Sequence, residues 1–378
     1  MIKAEVVSEI PDISTFRDSW DRLFLVPGNE PSTSFEWTKA MIRHHIKPGD
    51  RFFLVRIQRG EDIVCLVPLV ARTESVFGQP LVSLYPISEQ YNTHSGFLAS
   101  GLDESVVEAF LSVLYGLKLR WDLFRMTKLL ENNPLLDHFQ TSLSRRRSEY
   151  RIRYEMAAFY LPLDRSYDDY LANRSAKFRN FLRRSERKMA GAGESQVIEY
   201  SDPEGFDKAY EDLLHVERHS WKHAHGTAIS AIDRQTGFYR DMIRSALETG
   251  HLHLQLLYLD RLPIAYNLGY IRDKCYYYLK TSYYENYKPF GPSTFLRARL
   301  IRGLIASGVE YFDFPGEPYE WERQWTETLR WHKSILVYNN TIRARILALL
   351  NRLRERKGGA ASKARLEYCD ARALKPPR

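Results

Sequence analysis

The alternation of hydrophobic and polar positions divides the chain into interleaved strands and helices. Strand-like runs occur at Phe52–Gln58 and Ile63–Arg72, and apolar residues spaced three and four apart predict helices between such runs. In the second half, strand-like runs follow one another at His251–Leu259, Pro263–Ile271 and Lys274–Ser282. The polar pairs that separate these three runs are typical of tight turns. The pattern predicts an α/β (α+β) fold with mixed, mostly antiparallel sheets flanked by helices.

The same order of elements occurs twice, which predicts two domains. Each half begins with a strand and two helices, continues with antiparallel strands, and ends with helix, strand, helix and strand. A chain of 378 residues is also long enough for two domains of ordinary size. We therefore expect an N-terminal domain at 1–160, a second domain at 161–339, and a basic helix and tail at 340–378.

Composition indicates a folded intracellular protein. The chain is 44% hydrophobic and 13% aromatic, which is typical of globular proteins. No apolar run approaches the roughly 20 residues that span a bilayer, and the N-terminus lacks the apolar core of a signal peptide. The three cysteines, Cys65, Cys275 and Cys369, are far apart and are expected to be reduced thiols. The sequence therefore predicts a cytoplasmic protein.

The net charge of +8 is concentrated at the C-terminus. Residues 340–378 hold 11 Lys and Arg against three acidic residues, so the preceding fold is nearly neutral, and we expect no nucleic-acid partner. Within this segment an amphipathic helix is predicted. Its apolar stripe consists of Ile342, Ile346, Leu349, Leu350 and Leu353, with arginines opposite. The stripe is compatible with peripheral contact to the anionic surface of the inner membrane and equally with docking onto the domain.

One turn between a predicted strand and a predicted helix has the features of a phosphate site. Lys288 supplies a cation, Gly291 permits close approach of the backbone, and Pro292 suits the first turn of a helix. Unpaired N–H groups and the positive end of the helix dipole would point into this turn. The sequence therefore predicts a diphosphate-binding turn, and the alternative is an ordinary strand-to-helix loop.

The residues of this turn resemble the acyl-CoA signature of GNAT acyltransferases, Arg/Gln-x-x-Gly-x-Gly/Ala. The sequence here is Lys-x-x-Gly-x-Ser, at Lys288, Gly291 and Ser293; Lys replaces Arg/Gln, and Ser replaces Gly/Ala. Other parts of the chain carry a further resemblance: Trp20, FEWTKAM, WDLFRM, FRNFLRRSERKMAGAG, HSWK and LIRGLIASGVEYFDFPGEPYEWERQW. They resemble the CelD-like acetyltransferases, which are associated with cellulose and exopolysaccharide biosynthesis, and distantly the FemAB peptidyltransferases.

This resemblance implies two tandem GNAT folds, with the acyl donor on the second. It implies acetyl-CoA or another acyl-CoA as co-substrate, and N- or O-acylation of a sugar, nucleotide-sugar or polysaccharide-linked acceptor. The donor-binding residues are then expected to be Lys280, Thr281, Lys288, Phe290, Gly291, Pro292 and Ser293. A backbone N–H of the strand that precedes the turn would stabilise the oxyanion.

The same resemblance suggests catalytic residues. Tyr319 occupies the position from which a tyrosine protonates the departing thiolate, and Asp313 and Glu217 are candidate bases. Glu217 lies four residues before Trp221, so the two are expected on one helix face. In related chains a first-domain loop often carries an Asp, whereas Asn92 occupies that loop here. This departure leaves a first-domain base in doubt.

On the acceptor side, candidate residues are spread over several segments. They are Trp221, Lys222, Arg179, Asn92 and His94. His94 is a candidate substitute for the missing Asp, or an ordinary exposed loop histidine. Arg179 belongs to a strongly basic predicted helix, Arg174–Lys188, which fits an anionic ligand such as CoA phosphates or a nucleotide-sugar, or a basic surface helix.

Two other functions are open to this sequence, and a metal site is not expected. A FemAB-like transferase would use aminoacyl-tRNA, and a noncatalytic GNAT-like scaffold would serve an envelope-polysaccharide complex. His215, His219 and His223 recur every four residues. Because three imidazoles spread over two helical turns do not converge on one point, and no Cys or acidic pair completes them, we expect no metal there.

Overall fold

The computed structural model divides the protein into two compact units. It describes residues 2–8, 12–90, 94–201, 203–314, 316 and 318–353. The first unit comprises 1–158 together with 330–378, and the second comprises 159–329. The domain boundaries predicted from the sequence are after 160 and after 339.

Most strands follow the predicted hydrophobic runs. Within the described ranges they are β1 (Ile2–Ser8), β2 (Arg51–Arg59), β3 (Asp62–Val76), β4 (Gln79–Pro86), β5 (Leu98–Ala99), β6 (Leu123–Leu130), β7 (Glu149–Pro162), β8 (Ser195–Tyr200), β9 (Leu252–Leu259), β10 (Leu262–Arg272), β11 (Cys275–Tyr283), β12 (Tyr311–Asp313) and β13 (Leu329–Tyr338). The β9–β10 turn is Asp260–Arg261, as predicted, and both residues have positive φ. The β10–β11 turn is Asp273–Lys274, one residue later than predicted, because Arg272 pairs with Cys275.

Helices separate these strands in the order that the sequence predicts. Their bounds are α1 (Arg17–Phe24), α2 (Phe35–His45), α3 (Glu104–Gly116), α4 (Pro134–Arg145), α5 (Tyr167–Ala172), α6 (Ala176–Ala190), α7 (Phe206–Arg218), α8 (Trp221–Ala224), α9 (Asp233–Glu248), α10 (Pro292–Ala306) and α11 (Glu320–Arg323). Residues 342–353 are also helical. Ser34 caps α2 as predicted, since its side chain accepts from the Trp37 N–H. Among the described helices, none has the length and apolar character needed to cross a membrane.

The sequence predicts two long helices that the structure divides, each into two shorter helices. The helix predicted over Tyr167–Met189 breaks after α5 and restarts at α6, where the Ser175 side chain accepts from the Phe178 N–H. The helix predicted over Pro203–Lys222 ends with α7, and α8 starts afresh at Trp221. The three histidines from His215 onward therefore do not share one helix.

The first unit is built on a sheet with the order β1-β2-β3-β4-β6-β13. Pairing is antiparallel except between β4 and β6, which are parallel. One face of the sheet packs on α3 and α4 around Phe110, Phe124 and Phe139, all fully buried. The strand predicted to finish the second domain, β13, instead pairs with β6 in this unit.

The helix at 342–353 also belongs to the first unit. Ala344, Leu347 and Ala348 are buried against Leu336 and Tyr338 of β13, so the helix docks on the sheet. The apolar stripe that the sequence predicts as its buried or membrane-facing side is not the docked side. Cys369 and the rest of the tail from 354 lie outside the described residues.

The second unit has the strand order β7-β12-β11-β10-β9-β8. Only the pairing of β11 with β12 is parallel among the described pairs of this sheet, and it covers Cys275–Tyr277 alone. Beyond this point β11 continues to Tyr283 without pairing to β12. Leu279 lies in an irregularity of the β10–β11 register, since Tyr278 and Lys280 pair with consecutive residues of β10.

Helices cover both faces of this second sheet. Glu217 of α7 accepts from Tyr266 of β10, and Arg297 of α10 donates to Tyr278 of β11, which in turn donates to Asn267. Because Tyr266 and Asn267 are consecutive in one strand, their side chains point to opposite faces. The sheet thus holds one polar network under α7 and another under α10.

Candidate functional site

The turn between β11 and α10 is fixed by a glycine and by a serine from another helix. Gly291 caps α10 in the left-handed conformation, with φ 68°, which favours glycine. A Cβ at this position would lie 2.8 Å from the Ser185 side-chain oxygen. That hydroxyl donates to the Gly291 carbonyl at 3.0 Å. The close approach of α6 to the turn therefore depends on the missing side chain.

A cavity of about 220 Å³ opens at this helix N-terminus. It is lined by Phe181, Arg184, Ser185 and Lys188 of α6, by Tyr283 of β11, and by Lys288, Pro289, Phe290, Gly291, Pro292, Ser293 and Thr294. Gly291 offers no side-chain cap, so the Ser293 and Thr294 N–H groups have no partner within the helix. With the helix dipole and three cationic side chains, the cavity is suited to an anion such as a diphosphate.

Two of the cations are held by contacts at the rim of this cavity. Lys188 Nζ donates to the Pro289 carbonyl at 2.8 Å, so it ties α6 to the turn. Lys288 is paired with Glu285 at 2.8 Å, and this carboxylate raises the pKa of Lys288. Both side chains are exposed, so each can turn toward a ligand.

Five of the seven predicted donor-binding residues line this cavity, and the other two lie earlier on β11. The five are Lys288, Phe290, Gly291, Pro292 and Ser293. Thr281 Oγ1 donates to the Tyr266 carbonyl at 3.0 Å. The Lys280 ammonium lies 5.7 Å from the centre of the Tyr239 ring, and burial lowers its pKa.

A lysine and a glutamate form the polar network on the α7 face of the sheet. Glu217 is fully buried and accepts from the Tyr266 hydroxyl at 2.6 Å and from the Ile229 N–H at 2.7 Å. Lys222 Nζ lies 3.7 Å from Glu217 Oε1 and donates to the Thr281 carbonyl of β11. Burial lowers the pKa of Lys222 to about 8, against the opposing effect of Glu217. Lys222 can therefore exchange a proton near neutral pH.

Trp221 and Arg179, two of the predicted acceptor-binding residues, do not line the cavity at α10. Because α7 ends before Trp221, this residue does not stack one turn above Glu217 as predicted, and its side chain is 47% exposed. Arg179 donates to the carbonyls of Ala172 and Arg174. It closes the end of α5 and is absent from the lining of the cavity at α10.

His94 is a buried residue of the first unit, and the exposed-loop interpretation of it is wrong. Its side chain is 3% exposed, and Nδ1 lies 3.3 Å from Glu30 Oε2. The centre of its ring lies 5.1 Å from the centre of the ring of His332, a residue of β13. Asn92, the neighbouring candidate, lies outside the described residues.

Asp313 and Tyr319 occupy contrasting environments in the second unit. Asp313 ends β12, pairs with Tyr160 and Tyr277 across the sheet, and has 0% exposure. Tyr319 precedes α11 with 59% exposure, and its backbone N–H donates to Glu322 Oε2 at 2.9 Å. The exposed phenol can meet a ligand from solvent, whereas the carboxyl of Asp313 is inside the protein.

The sequence did not single out Arg297, a buried arginine of α10. Arg297 is 4% exposed, donates to Tyr278 at 3.0 Å and to Ser293 at 3.2 Å, and lies 4.0 Å from the centre of the Trp321 ring. Burial raises the pKa of the nearby Glu322 to about 8. The four-residue spacing of Ser293 and Arg297 was the available signal, because it places both on one helix face. These contacts anchor the first turn of α10 to β11.

Comparison with protein families assigns the second unit. Residues 176–323 match the family model of the acetyltransferase (GNAT) domain, and this range contains α6, the Glu217–Lys222 pair and the cavity at α10. No curated protein is significantly similar to this chain in sequence. The chain therefore carries a GNAT acetyltransferase domain and is an acyltransferase.

Solved structures agree in fold over most of the chain. FemX superposes with a TM-score of 0.58 at 12% identity, covering 92% of this chain and all (100%) of FemX. L-PGS from Bacillus licheniformis gives 0.54 at 13% identity, with 93% and 98% covered. A tandem GNAT protein from the clavulanic acid biosynthesis pathway gives 0.51 at 11% identity, with 90% and 100% covered. The fold is thus that of tandem GNAT proteins, and at these identities the likeness concerns the fold alone.

Proposed function

We propose that the protein transfers an acyl group such as acetyl from acyl-CoA to an amine or hydroxyl of a sugar, nucleotide-sugar or polysaccharide-linked acceptor. The observation that carries the donor assignment is the cationic cavity at the N-terminus of α10. The match of the GNAT domain over the same residues supports it. The acceptor class and a place in cellulose or exopolysaccharide biosynthesis rest on the CelD-like sequence resemblance.

In this proposal the phosphates of CoA bind the first turn of α10. The Ser293 and Thr294 N–H groups hold the diphosphate, and Arg184, Lys188 and Lys288 neutralise its charge. Beyond Tyr277 the edge of β11 does not pair with β12, and we assign this edge to an extended pantetheine arm, next to the Thr281 carbonyl that accepts from Lys222. The thioester would then lie close to the strand that carries Thr281.

The chemistry requires a proton acceptor beside this strand, and we assign Lys222 to that role. The acceptor's nitrogen or oxygen attacks the thioester carbonyl, the new C–N or C–O bond forms, and the C–S bond breaks. The acceptor's proton passes to neutral Lys222, and the thiolate takes a proton, for which Tyr319 remains our candidate. Glu217 is then a positioning residue rather than the base, because both of its oxygens already accept hydrogen bonds.

The donor assignment is tested by calorimetric titration of the protein with acetyl-CoA and with CoA. We expect stoichiometric binding, and Lys188→Glu should weaken it about tenfold or more by placing a carboxylate at the phosphates. The matched control is Arg187→Glu, an equal charge change on the adjacent exposed residue, which does not line the cavity.

Three results would overturn the donor assignment. They are the absence of acetyl-CoA binding, equal losses in the Lys188 and Arg187 variants, and binding of an aminoacyl-tRNA mixture by a protein that does not bind acetyl-CoA. The last result would identify the FemAB-like alternative instead.

A further inference from the structure

The helix at 342–353 has two apolar faces, and the part of the chain that the structure describes covers one of them. Ala344, Leu347 and Ala348 are buried on the sheet of the first unit. The second face consists of Ile342, Ile346, Leu349, Leu350 and Leu353, with exposures of 70%, 54%, 54%, 39% and 44%. We refer to these five residues as the outer stripe. Single exposed apolar residues are common on protein surfaces, whereas a row of them along one face of a docked helix is a feature of interaction sites.

Cations surround the outer stripe. Arg343, Arg345 and Arg352 are exposed on the same helix. Next to Leu349 a cavity of about 290 Å³ is lined by Arg147, Glu149, Tyr338, Asn339, Asn340, Arg345, Ala348, Leu349 and Arg352. Glu149 is its one acidic lining residue among those described, and it is already paired with Arg352. The cavity therefore retains excess positive charge beside an apolar surface.

We propose that the outer stripe is a docking surface for a bilayer that contains anionic phospholipid. The five apolar side chains would enter the interface, and the arginines would contact lipid phosphates, with Arg147 and Arg345 placed to take a headgroup in the adjacent cavity. The twelve helical residues that the structure describes span about 18 Å, less than the thickness of a bilayer. The helix would therefore lie parallel to the surface, held in place by its docked face.

Charge favours a lipid surface over a second copy of the chain. In a symmetric dimer through the outer stripe, the arginines of one copy would face those of the other, and like charges at an interface oppose association. An anionic bilayer offers the opposite charge together with an apolar layer. This surface lies in the first unit, and the inference does not depend on the acyl transfer proposed above.

The test is co-sedimentation of the full chain with large unilamellar vesicles of phosphatidylcholine, with and without phosphatidylglycerol. We expect binding that requires phosphatidylglycerol and falls as salt is raised. The variant Ile346→Asp/Leu349→Asp should reduce the bound fraction about tenfold or more, and Arg345→Glu should reduce it severalfold. The matched controls are Leu25→Asp, at an apolar residue with 75% exposure in the same unit, and Arg22→Glu, which changes the net charge equally.

Far-UV circular dichroism and urea denaturation of each variant show whether the protein remains folded. The proposal is overturned if wild-type protein does not sediment with anionic vesicles, or if the outer-stripe and control variants bind equally. It is also overturned if light scattering shows a dimer that the Ile346→Asp/Leu349→Asp variant dissociates, because a second copy would then cover the stripe.

Discussion

Burial gives Glu217 and Lys222 different roles although they are ionic neighbours. Both carboxylate oxygens of Glu217 accept hydrogen bonds, one from the Tyr266 hydroxyl and the other from the Ile229 N–H. Lys222 has one carbonyl partner, and loss of hydration disfavours its charged form. This asymmetry supports our proposal that Lys222, rather than Glu217, accepts the proton.

The pKa of Lys222 is therefore a direct prediction. Carbon-13 NMR of the lysine ε-carbons should show one resonance that titrates at about pH 8 and disappears in Lys222→Arg. In Glu217→Gln the pKa of Lys222 should fall further, because the carboxylate stabilises the charged ammonium. The group is mostly charged below this pKa and mostly neutral above it, so acyl transfer should increase as pH rises through about 8.

Lys274→Arg is the matched control for this titration. Lys274 is exposed and paired with Glu310, which raises its pKa, so its replacement should leave the resonance at pH 8 unchanged. A Lys222 resonance that titrates near 10.5 would remove the basis for assigning it as the proton acceptor.

The sequence signal was clearest for residues whose position depends on local structure alone. Lys288, Gly291 and Ser293 needed only their positions between a strand and a helix, and they line the cavity. Arg297 was missed because its partners, Tyr278 and Trp321, come from other elements. Burial of an arginine depends on such tertiary contacts, and helical spacing alone does not reveal them.

At the scale of elements, hydrophobic periodicity identified most strands but not the breaks in two helices. The sequence signal for a helix break at Ser175 and before Trp221 is weak, because a serine that can cap a helix also occurs within longer polar stretches. The break before Trp221 has a functional consequence. It starts a new helix that delivers Lys222 to the Thr281 carbonyl of β11.

The contact of α6 with the turn before α10 yields an element-scale prediction. Gly291→Ala should destabilise the protein by about 1–2 kcal/mol because of its left-handed backbone, and by a further amount because its Cβ would lie 2.8 Å from the Ser185 hydroxyl. Introducing Gly291→Ala into Ser185→Ala should therefore cost less, by on the order of 1 kcal/mol. Urea denaturation of the four proteins measures this double-mutant cycle.

Gly303→Ala provides the matched control for this cycle. Gly303 lies inside α10, and nothing lies within 4 Å of a Cβ built there, so the substitution should stabilise the helix by about 0.5–1 kcal/mol. Additive effects of Gly291→Ala and Ser185→Ala would show that the two elements do not restrain each other through this contact.

For the whole molecule, the order of elements predicted two units, but it did not predict which unit the C-terminal segment joins. The run that forms β13 has the pattern of any half-buried strand, and nothing in it specifies β6 as the partner. The docked face of the helix at 342–353 was not predictable either, because both of its faces contain apolar residues. Its docked face has the smaller ones, Ala344 and Ala348, which allow the helix to approach the sheet closely.

Because the C-terminal segment returns to the first unit, we expect this segment to stabilise the first unit alone. Leu347 is 4% exposed and packs with Leu81 and Leu336, so Leu347→Ala should lower the free energy of unfolding of this unit by about 2–4 kcal/mol. Leu349→Ala, two residues away and 54% exposed, should change it by less than about 0.5 kcal/mol. Amide hydrogen exchange should accelerate in β6 and β13 of the Leu347 variant and remain unchanged in α10, and acetyl-CoA affinity should be retained. Equal acceleration in α10 would show that the two units unfold together, and the C-terminal helix would then support the donor site as well as the sheet on which it docks.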